Sequence, residues 1–484
     1  MNNNTFNFRK YVPVFSIMLA IFLIYSRFSS LYPFAATWDQ VDFVLAVRDF
    51  DVLNMQPHFP GYPFFILGGR MIGAGLYDGP KALSFFNQLL ILSSCIPIFL
   101  LARKWLSPLS SLMTVFVVQS LSYPAVIGLQ PMSEGAAVAI VFWYLWSINL
   151  AIEKQRLIFD ILPLVFFSFL LGIRLSYISY GVGLLYLLYR IWKRNEPYRR
   201  IQLFILVLFA ALLQFLWIGA IAVNVGGFST LWSIAFGFSE GHFSDWGGTA
   251  EAEGFILRIG KLIFFNIIWV GILSESIWLL IAFLGLIASI CWKSSEKLES
   301  LSFYRFLVVC TGCYFIWALF AQNIDKPRHI LPIALWVIFL LVIKALQKKS
   351  RVISLMVIVW IVGHTFIGYH LQKLQASEQP AVYQLAEYVS SLEKDWVLFT
   401  WEETRSLSYL NVPIKHKRVF DYQLFLSDIL LNKNQRILIT NHVLEGFKQQ
   451  GIKIEGKVKE LQTFSSNPLF DPIYSNIVLY EWVE

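Results

Sequence analysis

The chain has 484 residues and a formal net charge of +8; 57% of its residues are hydrophobic, 17% aromatic and only 14% charged. Soluble domains carry about 25% charged residues, so this shortfall and a mean hydropathy of +0.60 place the chain in the membrane class. The positive charge is not a nucleic-acid signal, because the basic residues form short clusters between apolar runs, as membrane topology requires.

In chain order, a polar start ends in Arg9-Lys10 ahead of the first apolar run, and no small-residue cleavage site follows, so the first span reads as an uncleaved anchor. A hydrocarbon core of ~30 Å needs about 20 apolar residues per helix. That rule predicts about eleven spans: 12–30, 82–101, 110–128, 134–151, 157–173, 177–192, 201–224, 270–292, 302–321, 329–346 and 352–371. The loops with Arg103-Lys104, Lys154 and Arg156, Lys193-Arg194, Lys293 and Lys297, and Lys348-Lys349 alternate with the others and belong with Arg9-Lys10 on the cytoplasmic side. The stretch after the first span, the loop 225–261, the segment 322–328 and the C-terminal tail then lie outside. Residues 59–77, apolar but broken by prolines and glycines, read as a helix at the outer interface, and 262–272 is ambiguous in the same way. The long run 161–192 is split at Arg174, which cannot face lipid.

Composition changes near Ser377. Residues 382–392 read as an amphipathic helix, and 396–400, 436–440 and 477–482 as short strands. The expected organisation is a membrane domain, 1–377, and a small α/β domain, 378–484, outside the membrane. Cys95, Cys291, Cys310 and Cys313 all lie in or beside apolar runs, so they read as small apolar residues, with neither a disulfide framework nor a metal site.

The densest chemistry lies between Thr37 and Pro63, where Asp39, Asp42, Arg48, Asp49, Asp51 and His58 share one outer stretch with three prolines. Ionisable groups held beside a bilayer are costly and mark a site unless they are merely solvated. Other outer ionisable residues are Glu134 ahead of the fourth span, Arg174, His242 and Asp245 in a glycine-rich loop, and Lys326-Pro327-Arg328-His329. Acids come mainly from the N-terminal half and bases from Arg174 and the Lys326–His329 turn. Acid beside base suits glycosyl transfer from a lipid phosphate: a carboxylate takes the proton of an attacking hydroxyl, the anomeric carbon develops oxocarbenium character, and Arg meets the departing phosphate.

These residues resemble the GT-C superfamily, integral-membrane glycosyltransferases that use polyprenyl-phosphate sugars and include protein O-mannosyltransferases and lipid A aminoarabinose transferases. The resemblance rests on Trp38-Asp39-Gln40-Val41-Asp42 soon after the first span, the turn His58-Phe59-Pro60-Gly61-Tyr62-Pro63, Met132-Ser133-Glu134 and Arg328-His329-Ile330-Leu331-Pro332. It implies a polytopic α-helical GT-C-like fold, Asp39 as base with Asp42 as the alternative, a polyprenyl-phosphate-linked donor and inversion of the anomeric centre. Phe59 stands where the commoner pattern has proline, and the acids are spaced Asp-x-x-Asp instead of adjacent.

Arg328 and Arg174 are the expected phosphate ligands, with His58, His329, Asp51 and His242 as further substrate contacts. A divalent cation, Mg or Mn, is the one cofactor the residues suggest, held by Glu134 with His58 and Asp39. Each residue keeps a structural alternative: Asp39 as a helix N-cap, His58 as the brace of a proline-rich turn, Arg328 as an interfacial arginine. No outer-side Asn-x-Ser/Thr acceptor occurs, which favours a bacterial inner membrane. The competing readings are a lipid-linked sugar flippase, which calls for mid-membrane charges and paired broken helices, and a non-catalytic membrane scaffold.

Overall fold

The computed structural model describes residues 12–75, 77–243, 254–292, 301–392 and 395–483. Arg9, Lys10, Lys293 and Lys297 of the basic loops, and Asp245, Trp246, Glu251 and Glu253 of the long loop, lie outside the described residues. Among the described residues seven helices are long and apolar enough to cross a membrane, and shorter apolar helices fill in between them. The architecture is a polytopic helical membrane protein with a small C-terminal sheet domain.

Two crossings are interrupted where proline dictates. Gly79–Ser93 and Cys95–Ala102 meet at Ser94, four residues after Leu90 and three before Pro97; Pro108–Ser120 and Ser122–Ile127 meet at Leu121, three before Pro124. Proline lacks an N–H and its ring clashes with the carbonyl four residues earlier, here Ser93 and Ser120, so each ladder breaks at that point. The helices Glu134–Lys154 and Pro327–Gln347 form the centre, each 78% buried, whereas Arg199–Asn224 is only 17% buried and faces lipid. The first turns of Glu134–Lys154 carry Gly135, Ala136, Ala137 and Ala139, small enough for close helix approach. Deeper in, Phe142 stacks on Trp336 at 4.5 Å between ring centroids.

Two elements stand where the ambiguous stretch 262–272 and the crossing 270–292 were expected: an apolar helix Phe255–Ile272, which takes in the ambiguous stretch, and, after a bend, Ile277–Trp292, which matches the expected crossing. Hydropathy alone would have the first cross the membrane, yet both its ends stay at the face carrying the C-terminal domain. Arg258 donates to the carbonyls of Leu319, 2.6 Å, and Gln322, 2.6 Å, where Leu301–Ala321 ends. At the other end, Val270 packs with Tyr123, Ile127 and Leu469 of the C-terminal domain. The helix therefore lies along that face. Pro63–Gly73, within the predicted interfacial stretch, does likewise, pressed so closely on the next helix that a Cβ at Gly68 would stand 2.2 Å from the Phe86 ring.

The C-terminal domain holds β1 (Trp396–Thr400), β2 (Lys415–Arg418), β3 (Arg436–Thr440), β4 (Val458–Ser465) and β5 (Asn476–Trp482), ordered β2-β1-β3-β5-β4. β1 pairs in parallel with β2 and β3, while β5 runs antiparallel to β3 and β4. Three strands match the sequence expectation. β2 and β4 escaped it because they are edge strands: β2 is Lys-His-Lys-Arg and β4 is mostly exposed, so neither shows a buried apolar face. The domain docks through Ser406 Oγ to the Ala36 carbonyl, 3.0 Å, Tyr383 Oη accepting from the Ala35 N–H, 3.0 Å, and Gln130 Nε2 to the Phe470 carbonyl, 2.8 Å.

Candidate active site

The helix Trp38–Arg48 opens the site. Its N-cap is Thr37, whose Oγ1 accepts the Gln40 N–H. Capping by threonine relieves Asp39 of that duty and leaves its carboxylate available. The loop that follows closes with a turn at 51–54, where Asp51 accepts from the backbone N–H groups of Leu53 and Asn54 and from Asn54 Nδ2. Asp51 thus braces the turn; it is not drawn into the site. His58-Phe59-Pro60-Gly61-Tyr62-Pro63 then reverses the chain, with Gly61 at φ +89°, a conformation that favours glycine.

Three distant segments meet over this loop. Arg328 donates from Nη2 to Asp39 Oδ2 at 2.9 Å and from Nε to Glu134 Oε1 at 3.0 Å. Arg174, at the break between Leu157–Ile173 and the next helix, reaches the same Glu134 oxygen at 3.2 Å and donates to Ser133 Oγ at 3.0 Å. The row Asp39–Arg328–Glu134–Arg174 is two acids and two guanidiniums. Glu134 is fully buried, while the Asp39 side chain is 34% exposed, so Asp39 is the carboxylate a solute can reach. Glu134 Oε2 and Arg174 Nε are buried without a partner among the described residues. Burial pushes the Asp39 carboxyl up, but the positive charges of His58, Lys326, Arg328 and Arg174 outweigh it and hold the group well below the usual carboxylate range.

A second layer braces the first. Asp42, fully buried, accepts from His58 Nδ1 at 3.0 Å and from Arg405 Nε at 2.8 Å, and His58 Nε2 meets Tyr62 Oη at 3.2 Å. Burial lowers the proton affinity of His58, but its bond to Asp42 and the nearby Asp39 charge raise it above the ordinary value. Arg405 belongs to the C-terminal domain, 363 residues away in sequence. Its guanidinium lies 5.7 Å from the Trp38 ring, and that of Arg418 lies 5.1 Å from it. Asp39 and Asp42, expected on one face, therefore look to different partners: Asp39 to the arginines of the membrane part, Asp42 to His58 and the C-terminal domain.

Two expected contacts are bonded to backbone carbonyls instead. His329 Nδ1 is bonded to the Asn323 carbonyl at 3.1 Å, and His242 Nε2 to the Ala321 carbonyl at 2.8 Å. The contacts of Glu134 also bear on the metal expectation. Its bonded oxygen already faces two guanidiniums, His58 turns to Asp42, and no group of three His, Cys, Asp or Glu side chains able to hold an ion occurs among the described residues. A divalent cation at Glu134 would meet two fixed positive charges, so the donor set does not suit one. Arg405 is the residue that sequence reading missed: it sits in a soluble-looking segment with no motif around it.

No protein-family model matches the chain, and no curated protein matches it in sequence. In three dimensions it is similar to ArnT from Cupriavidus metallidurans bound to undecaprenyl phosphate, with a TM-score of 0.54, 11% identity and 98% of each chain covered. The apo oligosaccharyltransferase of Archaeoglobus fulgidus is also similar, with a TM-score of 0.49, 12% identity, and coverage of 90% of this chain and 70% of that one. The likeness to ArnT extends over the membrane helices and the C-terminal domain alike, so the two chains share a fold.

Proposed function

From that shared fold as premise, we propose that the protein is a membrane glycosyltransferase that moves a sugar from a polyprenyl-phosphate donor to an extracytoplasmic acceptor, with inversion. The observation that carries the reading is Arg328, one guanidinium touching both the accessible Asp39 and the buried Glu134. A phosphate ligand and a proton acceptor are thereby adjacent. An acceptor hydroxyl oxygen attacks the anomeric carbon, the bond from that carbon to the phosphate oxygen breaks, and polyprenyl phosphate leaves with the electron pair. The hydroxyl proton passes to Asp39. Arg328 and Arg174 meet the phosphate charge, and the unpartnered Arg174 Nε offers a further donor.

In the ligand-free arrangement Asp39 is a weak base, held so by the positive charges of His58 and Lys326 and then of Arg328, which pairs with it. A lipid phosphate that draws the guanidinium away raises the proton affinity of Asp39 as the donor binds. Base strength is thus tied to donor occupancy, which limits wasteful reaction of an empty site. The lipid donor accounts for the membrane location, and the alternation of basic loops supports an extracytoplasmic site and C-terminal domain.

The gathering of Asp39, Glu134, Arg174 and Arg328 in one row at one face favours transfer over flipping, which calls for charges near mid-membrane. The test is turnover of synthetic undecaprenyl-phosphate sugars by the purified chain. Arg328→Gln should abolish donor saturation; donor affinity equal to wild type in that variant would remove Arg328 from the phosphate and overturn the reading.

A further inference from the structure

The edge strand β2 is Lys-His-Lys-Arg, with Lys415, Lys417 and Arg418 exposed. Charge along an edge strand keeps other strands from pairing with it, but its last residue is held in a way that this role does not require. β2 runs parallel to β1 with Arg418 beside Thr400, so Arg418 stands at the carboxyl end of the parallel strands. Its guanidinium lies 4.3 Å from the Trp401 ring and 5.1 Å from the ring of Trp38, the first residue of the helix that carries Asp39. The indoles engage the flat of the guanidinium and leave the N–H donors along its rim to solvent. Among the described residues no hydrogen bond or ion pair joins Arg418 to a carboxylate, and the acids around it are engaged elsewhere: Asp42 with Arg405 and His58, Asp428 with Lys417, Glu403 with His442, and Asp421 with the Leu424 N–H. Arg436 on the same sheet makes the contrast, because it lies 3.9 Å from the Trp396 ring and is paired with Glu481.

We propose that Arg418 binds an oxyanion of the acceptor, a carboxylate or a phosphate, an inference that rests on the transfer reading only for the word acceptor. The ligand class follows from the group that is free. A guanidinium presents parallel N–H donors that match two oxygens of a carboxylate or phosphate, and charge-assisted pairs of this kind are the strong ones. Held by two rings, the side chain loses little freedom when an anion arrives. Lys415, bonded to Asn432 and to no acid among the described residues, adds positive potential along the same edge. The occupant follows from the neighbours. Trp38 precedes Asp39, and both are partly exposed, so an anion on Arg418 brings the rest of its molecule toward the proton acceptor. The donor phosphate is met by Arg328 and Arg174 of the membrane part. In an inverting displacement the acceptor and the departing group stand on opposite faces of the sugar. A cation supplied by the C-terminal domain through Trp38, outside the Arg328 row, therefore serves the acceptor.

The test is saturation-transfer NMR on the detergent-solubilised full chain, with saturating undecaprenyl phosphate present to fill the donor site. Methyl glucuronide and glucose 6-phosphate are the anionic probes, and methyl glucoside is the neutral control. At least one anionic probe should bind more tightly than the control; the glucuronide alone would mark the group as a carboxylate, and glucose 6-phosphate alone as a phosphate. Arg418→Gln should weaken that binding about tenfold, the value of one charge-assisted contact in water, with the melting temperature unchanged because the side chain is exposed. Arg328→Gln should leave it unchanged. No preference for either anionic probe over the control, equal binding to Arg418→Gln, or loss of binding in Arg328→Gln would each overturn the assignment. Asp39→Asn should lose turnover yet keep probe binding. Probe binding that depends on Arg418 beside full turnover in Asp39→Asn would sink the base assigned in the transfer reading alone, and lost turnover without probe binding would sink the Arg418 site alone.

Discussion

Replacing Asp39 by asparagine separates chemistry from architecture at this site. A positioned general base is worth roughly 10²–10⁴-fold in rate, about 3–5 kcal/mol of barrier. The ion pair it makes with Arg328 is a weaker matter, because the Asp39 side chain is 34% exposed; pairs in contact with water contribute about 0–1 kcal/mol. Asparagine keeps an oxygen for Arg328 Nη2 and removes the negative charge that competes with a lipid phosphate. Asp39→Asn should therefore lower kcat by two to four orders of magnitude, leave the donor KM equal or lower, and leave the melting temperature unchanged. Glu134→Gln makes the contrast. Glu134 is fully buried against two arginines, and removing one member of a buried pair costs roughly 3–5 kcal/mol, so this variant should lose stability as well as activity. The assay is turnover of an undecaprenyl-phosphate sugar in detergent beside a thermal unfolding scan. If Asp39→Asn turns over like wild type, or if it unfolds as readily as Glu134→Gln, the division of labour drawn between the two acids is wrong.

Other consequences follow from the second layer and the turn. His58 binds its proton more tightly in the folded chain, through Asp42 and despite burial, so its contribution to stability is full below about pH 6.5, the unperturbed value, and is lost as pH rises through the higher native value. The melting temperature of the wild type should fall over that window, and that of His58→Asn should stay flatter. Arg405→Ala removes the C-terminal domain's bond to Asp42 and should cost about 2 kcal/mol, as for other hydrogen bonds to charged groups; unchanged melting and unchanged turnover would show that the domain does not support the site. Gly61→Ala puts a side chain at φ +89° with Ile221 Cδ1 at 3.2 Å, which should cost about 1–3 kcal/mol and shift His58, seen as lower expression and lower kcat.

Much was legible in the sequence because a bilayer is a severe solvent. Every helix that crosses it needs a long apolar run, so composition alone marked the chain as a polytopic membrane protein. The same severity made Asp39, Glu134, Arg174 and Arg328 conspicuous, since charged side chains at a membrane face are kept only with partners. What sequence could not fix was which charge meets which. Arg328 reaches Asp39 across 289 positions and Arg405 reaches Asp42 across 363, and no local pattern encodes such a pairing. Asp51, His242 and His329 looked equivalent to the site residues along the chain, yet their side chains are bonded to local turns or to backbone carbonyls. Hydropathy likewise marks Phe255–Ile272 as a crossing, because it measures what a helix is made of and not where its ends are held; the Arg258 bonds to Leu319 and Gln322 hold it along the face. Local composition set which solvent each segment prefers, and long-range packing alone decided which acid is exposed, which is buried and which guanidinium stands between them.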